Sequence, residues 1–281
     1  MDYKLCLGTG MGFTLPTEEQ IRLIKKAGFD GFFTEMESLD NLMKYAEIAK
    51  EEKIVFQSVH APFGKMHIVW EGTDEEAEEV INELKECVDA CEKIGVPLLI
   101  CHVIIGMERC TPCEKGAERF YNLSRYAKEK NIKIAFENTE GEEYLQAVME
   151  KCIDLENVGF CFDSGHEMCY NGSRDMLSLY GDRLFATHLN DNMGMRDEKI
   201  KTWYDDLHLL PFDGVADWEN IAERLRNSTC PEFLTFEVTV SYKPERDYHR
   251  IYDGMSFSDY VKKAYERADK IRNIMCFKNF L

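Results

Sequence analysis

Residues 73–103 read TDEEAEEVINELKECVDACEKIGVPLLICHV, and this stretch holds one complete structural unit. Ala77, Val80, Ile81, Leu84, Val88, Cys91 and Ile94 recur at helical spacing, so one apolar stripe faces a partner while Glu and Lys cover the other side. Thr73 reads as the N-cap, Glu76 completes a capping box three residues later, and Gly95 stops the helix. The acidic run Glu75, Glu76, Glu78 and Glu79 is then a solvated helix face rather than a site. Residues 97–103 follow as a short apolar run, a buried strand that carries His102 near its end.

The same helix-and-strand unit recurs on both sides. Candidate strands occupy residues 4–9, 31–36, 55–61, 97–103, 133–139, 158–163, 184–190 and 233–238, with helical patterns between them. Thr17 reads as the cap of a run to Ala27 before Gly28, and a last helix spans about residues 258–275. Short strands alternating with crossover helices predict parallel pairing, and eight of them suit a closed (β/α)8 barrel, a TIM barrel of the α/β class. A chain of 281 residues with 44% hydrophobic content fits one such barrel over residues 1–281, with no linker or low-complexity stretch dividing it.

Composition narrows the partners. With 34 Lys+Arg against 52 Asp+Glu, the formal charge of -18 disfavours nucleic acid, whose backbone is held by clustered positive charge. No apolar run approaches the roughly 20 residues needed to cross a bilayer. The start of the chain lacks an export signal, and most of the 11 cysteines sit in apolar segments, as free thiols do in a reducing cytoplasm. A cytoplasmic protein with no membrane association is expected, and its assembly state, homo-oligomer included, stays open. Gly8, Gly10 and Gly12 miss the dinucleotide spacing, so no nucleotide cofactor is expected. Cys110 and Cys113 form a CxxC in the loop after the fourth strand, read as two reduced thiols because no second ligand pair accompanies them.

Polar residues stand where the strands end. The third strand ends in Ser58-Val59-His60, the fourth in Cys101-His102 and the fifth in Phe136-Glu137-Asn138. The sixth ends in Phe162-Asp163-Ser164-Gly165-His166, the seventh in His188-Leu189-Asn190-Asp191, and the eighth in Phe236-Glu237. In a barrel these ends converge on one axis and build the active site. Carboxylates crowded there repel one another unless a cation neutralises them, and a divalent metal is the economical resolution. Glu137, Asp163, His188 and Glu237 offer three carboxylates and one imidazole, a mostly oxygen set that suits Mn2+ or Mg2+ and tolerates Co2+ or Zn2+. Asn138 or Asp191 could orient those ligands, or simply cap loops.

These strand-end motifs resemble the xylose isomerase-like barrel superfamily over nearly the whole chain. That superfamily holds sugar and sugar-phosphate isomerases and epimerases, inosose dehydratases and the abasic-site endonuclease IV family. Resemblance to the ketose 3-epimerase-like members maps one metal onto Glu137, Asp163, His188 and Glu237. It also implies proton transfer through an enediolate, with Glu137 and Glu237 as the acid–base pair and His166 on a substrate oxygen. Arg196 is a candidate for a substrate hydroxyl or phosphate, although its register departs from the epimerase pattern. Resemblance to endonuclease IV extends the metal ligands to His60, His102, His166, Asp206 and His208, and implies a zinc phosphodiesterase acting on abasic-site DNA. The acidic charge, and residues 209–218 (LLPFDGVADW), which resemble the sugar isomerase-like members, favour a sugar, sugar phosphate or polyol as substrate. A barrel that binds a sugar without converting it is the third alternative.

Overall fold

The computed structural model describes residues 3–107, 111–172, 174–197 and 199–276. Eight parallel strands form the centre: β1 (Lys4–Gly8), β2 (Gly31–Glu35), β3 (Val55–His60), β4 (Leu98–Cys101), β5 (Lys133–Glu137), β6 (Val158–Asp163), β7 (Leu184–His188) and β8 (Phe233–Phe236). Each expected run contains one of these strands, and the strands end up to two residues earlier. They pair in sequence order from β1 to β7, with β8 beside β1. The seam between β7 and β8 carries a single bridge, Leu189 to Phe236, supported by the Leu189 N–H donating to the Thr235 carbonyl at 2.8 Å. Below it the Thr187 hydroxyl does what a ladder would: it accepts from the Thr235 N–H at 2.9 Å. A buried N–H needs such an acceptor, and with it the barrel is nearly closed.

Helices α1 (Thr17–Ala27), α2 (Leu39–Glu52), α3 (Ile68–Glu71), α4 (Asp74–Ile94), α5 (Glu114–Glu129), α6 (Glu142–Lys151), α7 (Ser164–Cys169), α8 (Met176–Tyr180), α9 (Trp218–Arg226) and α10 (Phe257–Cys276) surround the strands. The reading of residues 73–95 holds in detail: both halves of the Thr73–Glu76 capping box form, and Gly95 closes α4 in the left-handed region. At α1 the expectation is corrected. Pro16 is the N-cap and no side chain caps the helix, so Thr17 is its first residue. Proline's fixed φ orients the chain there without a side-chain acceptor. Cys113 caps α5 through its sulfur, which accepts from the Gly116 N–H at 3.4 Å, while Cys110 lies outside the described residues. No described helix is long and apolar enough to cross a membrane.

Inside the barrel, the small cluster of Leu98, Ile100, Ala135, Cys161 and Ala186 fills the strand interior. Between strands and helices lies the larger core, with Phe32, Phe120, Phe136, Phe160 and Phe162 fully buried. Burial of this kind contributes about 25 cal/mol for each Å² of apolar surface. It also fixes the direction of each strand end, and so the position of the polar residues above it. Phe13 packs edge-on against Phe257, Trp70 donates its indole N–H to the Val103 carbonyl at 2.7 Å, and His249 is fully buried against Leu207. These three are therefore packing residues, and His67 is exposed.

Candidate metal centre at the carboxyl ends of the strands

Parallel register brings the strand tips to one level. Glu35 pairs with His60, and Asp163 pairs with His188, while Glu137 opposes Cys161. Glu137 is the hub and is fully buried. Its Oε1 lies 3.1 Å from His188 Nδ1 and 3.5 Å from His166 Nδ1. Its Oε2 lies 3.3 Å from His60 Nε2 and 3.4 Å from His102 Nε2. Glu237, one residue beyond β8, places Oε2 3.3 Å from the same His188 Nδ1. One imidazole thus joins the two glutamates. Farther round the mouth, Asp206 reaches His208 Nε2 at 3.0 Å and His166 Nε2 at 3.5 Å.

Ligand atoms of Glu137, Asp163, His188 and Glu237 all lie within 4.8 Å of one another, the spacing of a shared cation. His60, Glu137 and His188 make a second such group, and Asp163, His166 and His208 a third. The donor chemistry fits a divalent ion: buried carboxylates and imidazole nitrogens converge, and few other side chains compete for them. Each residue offered by the sequence as a candidate ligand lies at this cluster. His208 reaches it with φ of 50°, a left-handed backbone that a non-glycine residue adopts at some cost.

Electrostatics follow from this crowding. Burial alone would raise the Glu137 carboxyl, but His188, His102 and His60 hold it well below the usual carboxylate range. Burial likewise opposes Glu237, yet His188 and His208 bring it down to about 2. Asp163 goes the other way: burial, only partly offset by His166 and His208, pushes it up to about 6. Burial disfavours imidazolium, but Glu35 and Glu137 raise His60 to about 9, and Asp206 raises His208 to about 9. Protons on these histidines are the positive charge that a metal ion would displace.

A second layer fixes the ligands. The Asp163 Oδ1 accepts from the His166 N–H at 2.6 Å, and its Oδ2 from the Asn190 side chain at 2.8 Å. Gly165 allows this approach, because a Cβ there would overlap Asn190 Oδ1. Asn138 ties β5 to β6 by accepting from the Asp163 N–H at 2.8 Å, so it does orient the cluster. Asp191 instead caps a loop, accepting from the N–H groups of Phe212 and Ala216 and from the Trp218 indole. Asn190, which the sequence reading passed over as an orienting residue, is the one that touches the Asp163 carboxylate.

Above the cluster opens a cavity of about 330 Å³ whose wall includes His60, His102, His166, Asp206, His208 and Glu237. Two of the expected site residues stand apart from this space. Glu137 is sealed beneath the histidines and does not face this space. Its two oxygens are engaged from four sides by His60, His102, His166 and His188. Arg196 is exposed and borders a separate surface hollow with Asp197, Tyr204 and Arg246 rather than this cavity. In its place stands Lys243, from the loop after β8, 3.8 Å from Asp206 and over the Trp203 ring. Glu35, Phe63 and Tyr170 also line the wall. Glu35 at the end of β2 could have been found by the strand-end rule; Lys243 carried no sequence signal.

A barrel with a cluster of carboxylates and imidazoles at the carboxyl ends of its strands is the class that the fold and site define. The profile of the xylose isomerase-like TIM barrel family matches residues 9–255, and the chain belongs to that family. It is 33% identical over 168 residues to the uncharacterised protein y4fM of Sinorhizobium fredii, covering 55% of this chain and 51% of that one. The match thus spans about half the length of this curated relative. Among solved structures, IolI protein with a bound zinc atom has a TM-score of 0.72 at 20% identity, over 97% of this chain and 98% of that one. D-Psicose 3-epimerase from Clostridium cellulolyticum, solved with D-tagatose, has a TM-score of 0.73 at 15% identity, over 97% and 99%. At such identities the likeness to the solved structures is one of fold.

Proposed function

We propose that this protein is a divalent-metal-dependent isomerase or epimerase acting on a sugar or related polyol. One observation carries the reading: Glu137, Asp163, His188 and Glu237 converge within 4.8 Å beneath a cavity of about 330 Å³, large enough for a small ligand. A divalent ion held by these four residues supplies Lewis acidity to a substrate carbonyl. The chain's own residues then do the proton chemistry. Glu237 faces the cavity and is held ionised by His188 and His208, so it accepts the proton from the carbon beside the carbonyl. His166, on the same wall, holds a substrate oxygen. Return of the proton to the neighbouring carbon gives isomerisation, and delivery of a proton by a second acid to the opposite face of the same carbon gives epimerisation.

Glu237→Gln keeps the size of the side chain and removes its charge and basicity. The purified variant and parent are loaded with Mn2+, and exchange of carbon-bound hydrogen is followed in heavy water with a panel of ketoses. Lower metal content or lost exchange in the variant is the expected result. Equal metal and equal exchange in both proteins refutes the proposal.

A second reading rests on its own observation: His60, His102, Asp206 and His208 also stand at the cluster, enough ligands for a multinuclear zinc site in a phosphodiesterase. Against DNA as substrate stand the charge of -18 and a cavity wall whose single lysine or arginine, among the described residues, is Lys243. Elemental analysis with an incision assay on abasic-site DNA separates the readings. Three zinc ions per chain with incision replaces the isomerase. A barrel that binds sugar without converting it would give sugar binding and no exchange.

A further inference from the structure

Glu35 is a charged side chain on the cavity wall that neither the metal ligands nor the proton transfer uses. It ends β2 and pairs in register with His60, so its carboxylate stands at the level of the cluster. The nearest charged partner is His60 Nδ1 at 3.6 Å, beyond hydrogen-bond reach, and that nitrogen is 2.8 Å from the Ala61 carbonyl, which takes its proton. The side chain is 56% exposed, and it is exposed toward the cavity, so its oxygens are open to a ligand that brings donors. Vicinal hydroxyls of a sugar are such donors.

The charge around it selects the ligand further. Glu35, Glu140, Asp206 and Glu237 line the cavity; facing them are the imidazoles of His60, His102, His166 and His208 and one ammonium, that of Lys243, which already lies beside Asp206. A phosphate brought into this space would meet Lys243 but also the carboxylates of Glu35 and Glu140, neither of which belongs to the metal cluster. A hydroxyl both donates and accepts, and so suits Glu35 and Lys243 together. Discrimination between ligands of equal shape comes as much from repulsion as from attraction.

Resting on the function proposed above, we propose that Glu35 determines specificity: it accepts hydrogen bonds from the hydroxyls of an uncharged sugar or polyol and turns away phosphorylated counterparts. The full chain, loaded with Mn2+, is titrated calorimetrically with unphosphorylated ketohexoses and with the same ketoses carrying a terminal phosphate. Hydrogen exchange in heavy water is measured on the same pairs. Uncharged ketoses are expected to bind at least tenfold more tightly than their phosphates. Glu35→Gln should weaken the uncharged ligands about tenfold, raise KM more than it lowers kcat, and narrow the gap to the phosphates. Tighter binding of the phosphates, binding of neither class, or a variant with unchanged affinities overturns the assignment. Binding with the expected preference but no exchange in any pair leaves Glu35 in its role and removes the isomerase.

Discussion

Replacing Asn190 with alanine removes its hydrogen bond to the Asp163 carboxylate and a longer one, at 3.4 Å, to the His188 carbonyl, the two contacts its side chain makes to the proposed metal cluster. The Asn190 side chain donates to Asp163 Oδ2 at 2.8 Å, and both residues are fully buried. A hydrogen bond to a charged group is worth about 1.5–3 kcal/mol, which is roughly 10- to 100-fold at about 1.4 kcal/mol for each factor of ten. Loss of an outer partner of a metal ligand costs a similar 10- to 100-fold in metal affinity. The Asp163 Oδ1 keeps its bond from the His166 N–H at 2.6 Å, so the carboxylate is still held at one oxygen and the effect belongs near the lower end, about tenfold. The assay is competition of Mn2+ or Zn2+ between the protein and a chromophoric chelator, at one pH, with thermal unfolding of the metal-free variant as control. Asp191→Ala supplies the contrast. It removes the acceptor for Phe212, Ala216 and Trp218, so it should lower the unfolding temperature more and metal affinity less. Unchanged metal affinity in Asn190→Ala would show that Asp163 is not a ligand, or is positioned by other means, and the reasoning fails.

Thr187→Val leaves the Thr235 N–H without its acceptor at the seam between β7 and β8. An unsatisfied buried donor costs about 1–3 kcal/mol, so thermal unfolding should fall by about 2–8 °C, and an unchanged midpoint would remove the seam's role. His60 and His208, raised to about 9, contribute stability to the metal-free protein that is complete below their unfolded value of about 6.5 and lost as pH rises through 9. Metal needs neutral imidazole, so apparent metal affinity should climb across that same window with release of protons, read by calorimetry in buffers of different ionisation enthalpy. Affinity independent of pH between about 6.5 and 9 would take both histidines out of the site. Added Mn2+ should raise the unfolding midpoint in proportion to the logarithm of its free concentration, and a chelator should reverse the rise.

The eight alternating units were legible because strands and helices impose different periods on apolar residues, and the run from Thr73 to His102 displays both within one crossover. The candidate ligands were legible for a related reason. Parallel strands that must bury both faces read as apolar throughout, so Glu137, Asp163 and His188 at their ends stand out. Asn190 and Glu35 sat within the same pattern, but sequence does not say which of two adjacent polar residues turns toward a ligand. That choice between Asn190 and Asp191 is made by side-chain direction, which reverses at each residue in an extended chain. Loops carry no such period: Arg196 leads away from the cavity and Lys243 enters it because of how the segments after β7 and β8 pack together.

Sequence by itself therefore determined the barrel, the end of it where the polar residues gather, and which carboxylates and imidazoles meet there, since each depends on local periodicity and strand order. Only the tertiary structure decided which groups face the cavity. Glu137 is closed off by four histidines drawn from β3, the turn after β4, α7 and β7, and no local stretch of chain records that meeting. Access is a property of the space between elements, and it comes into being when the ring of strands closes.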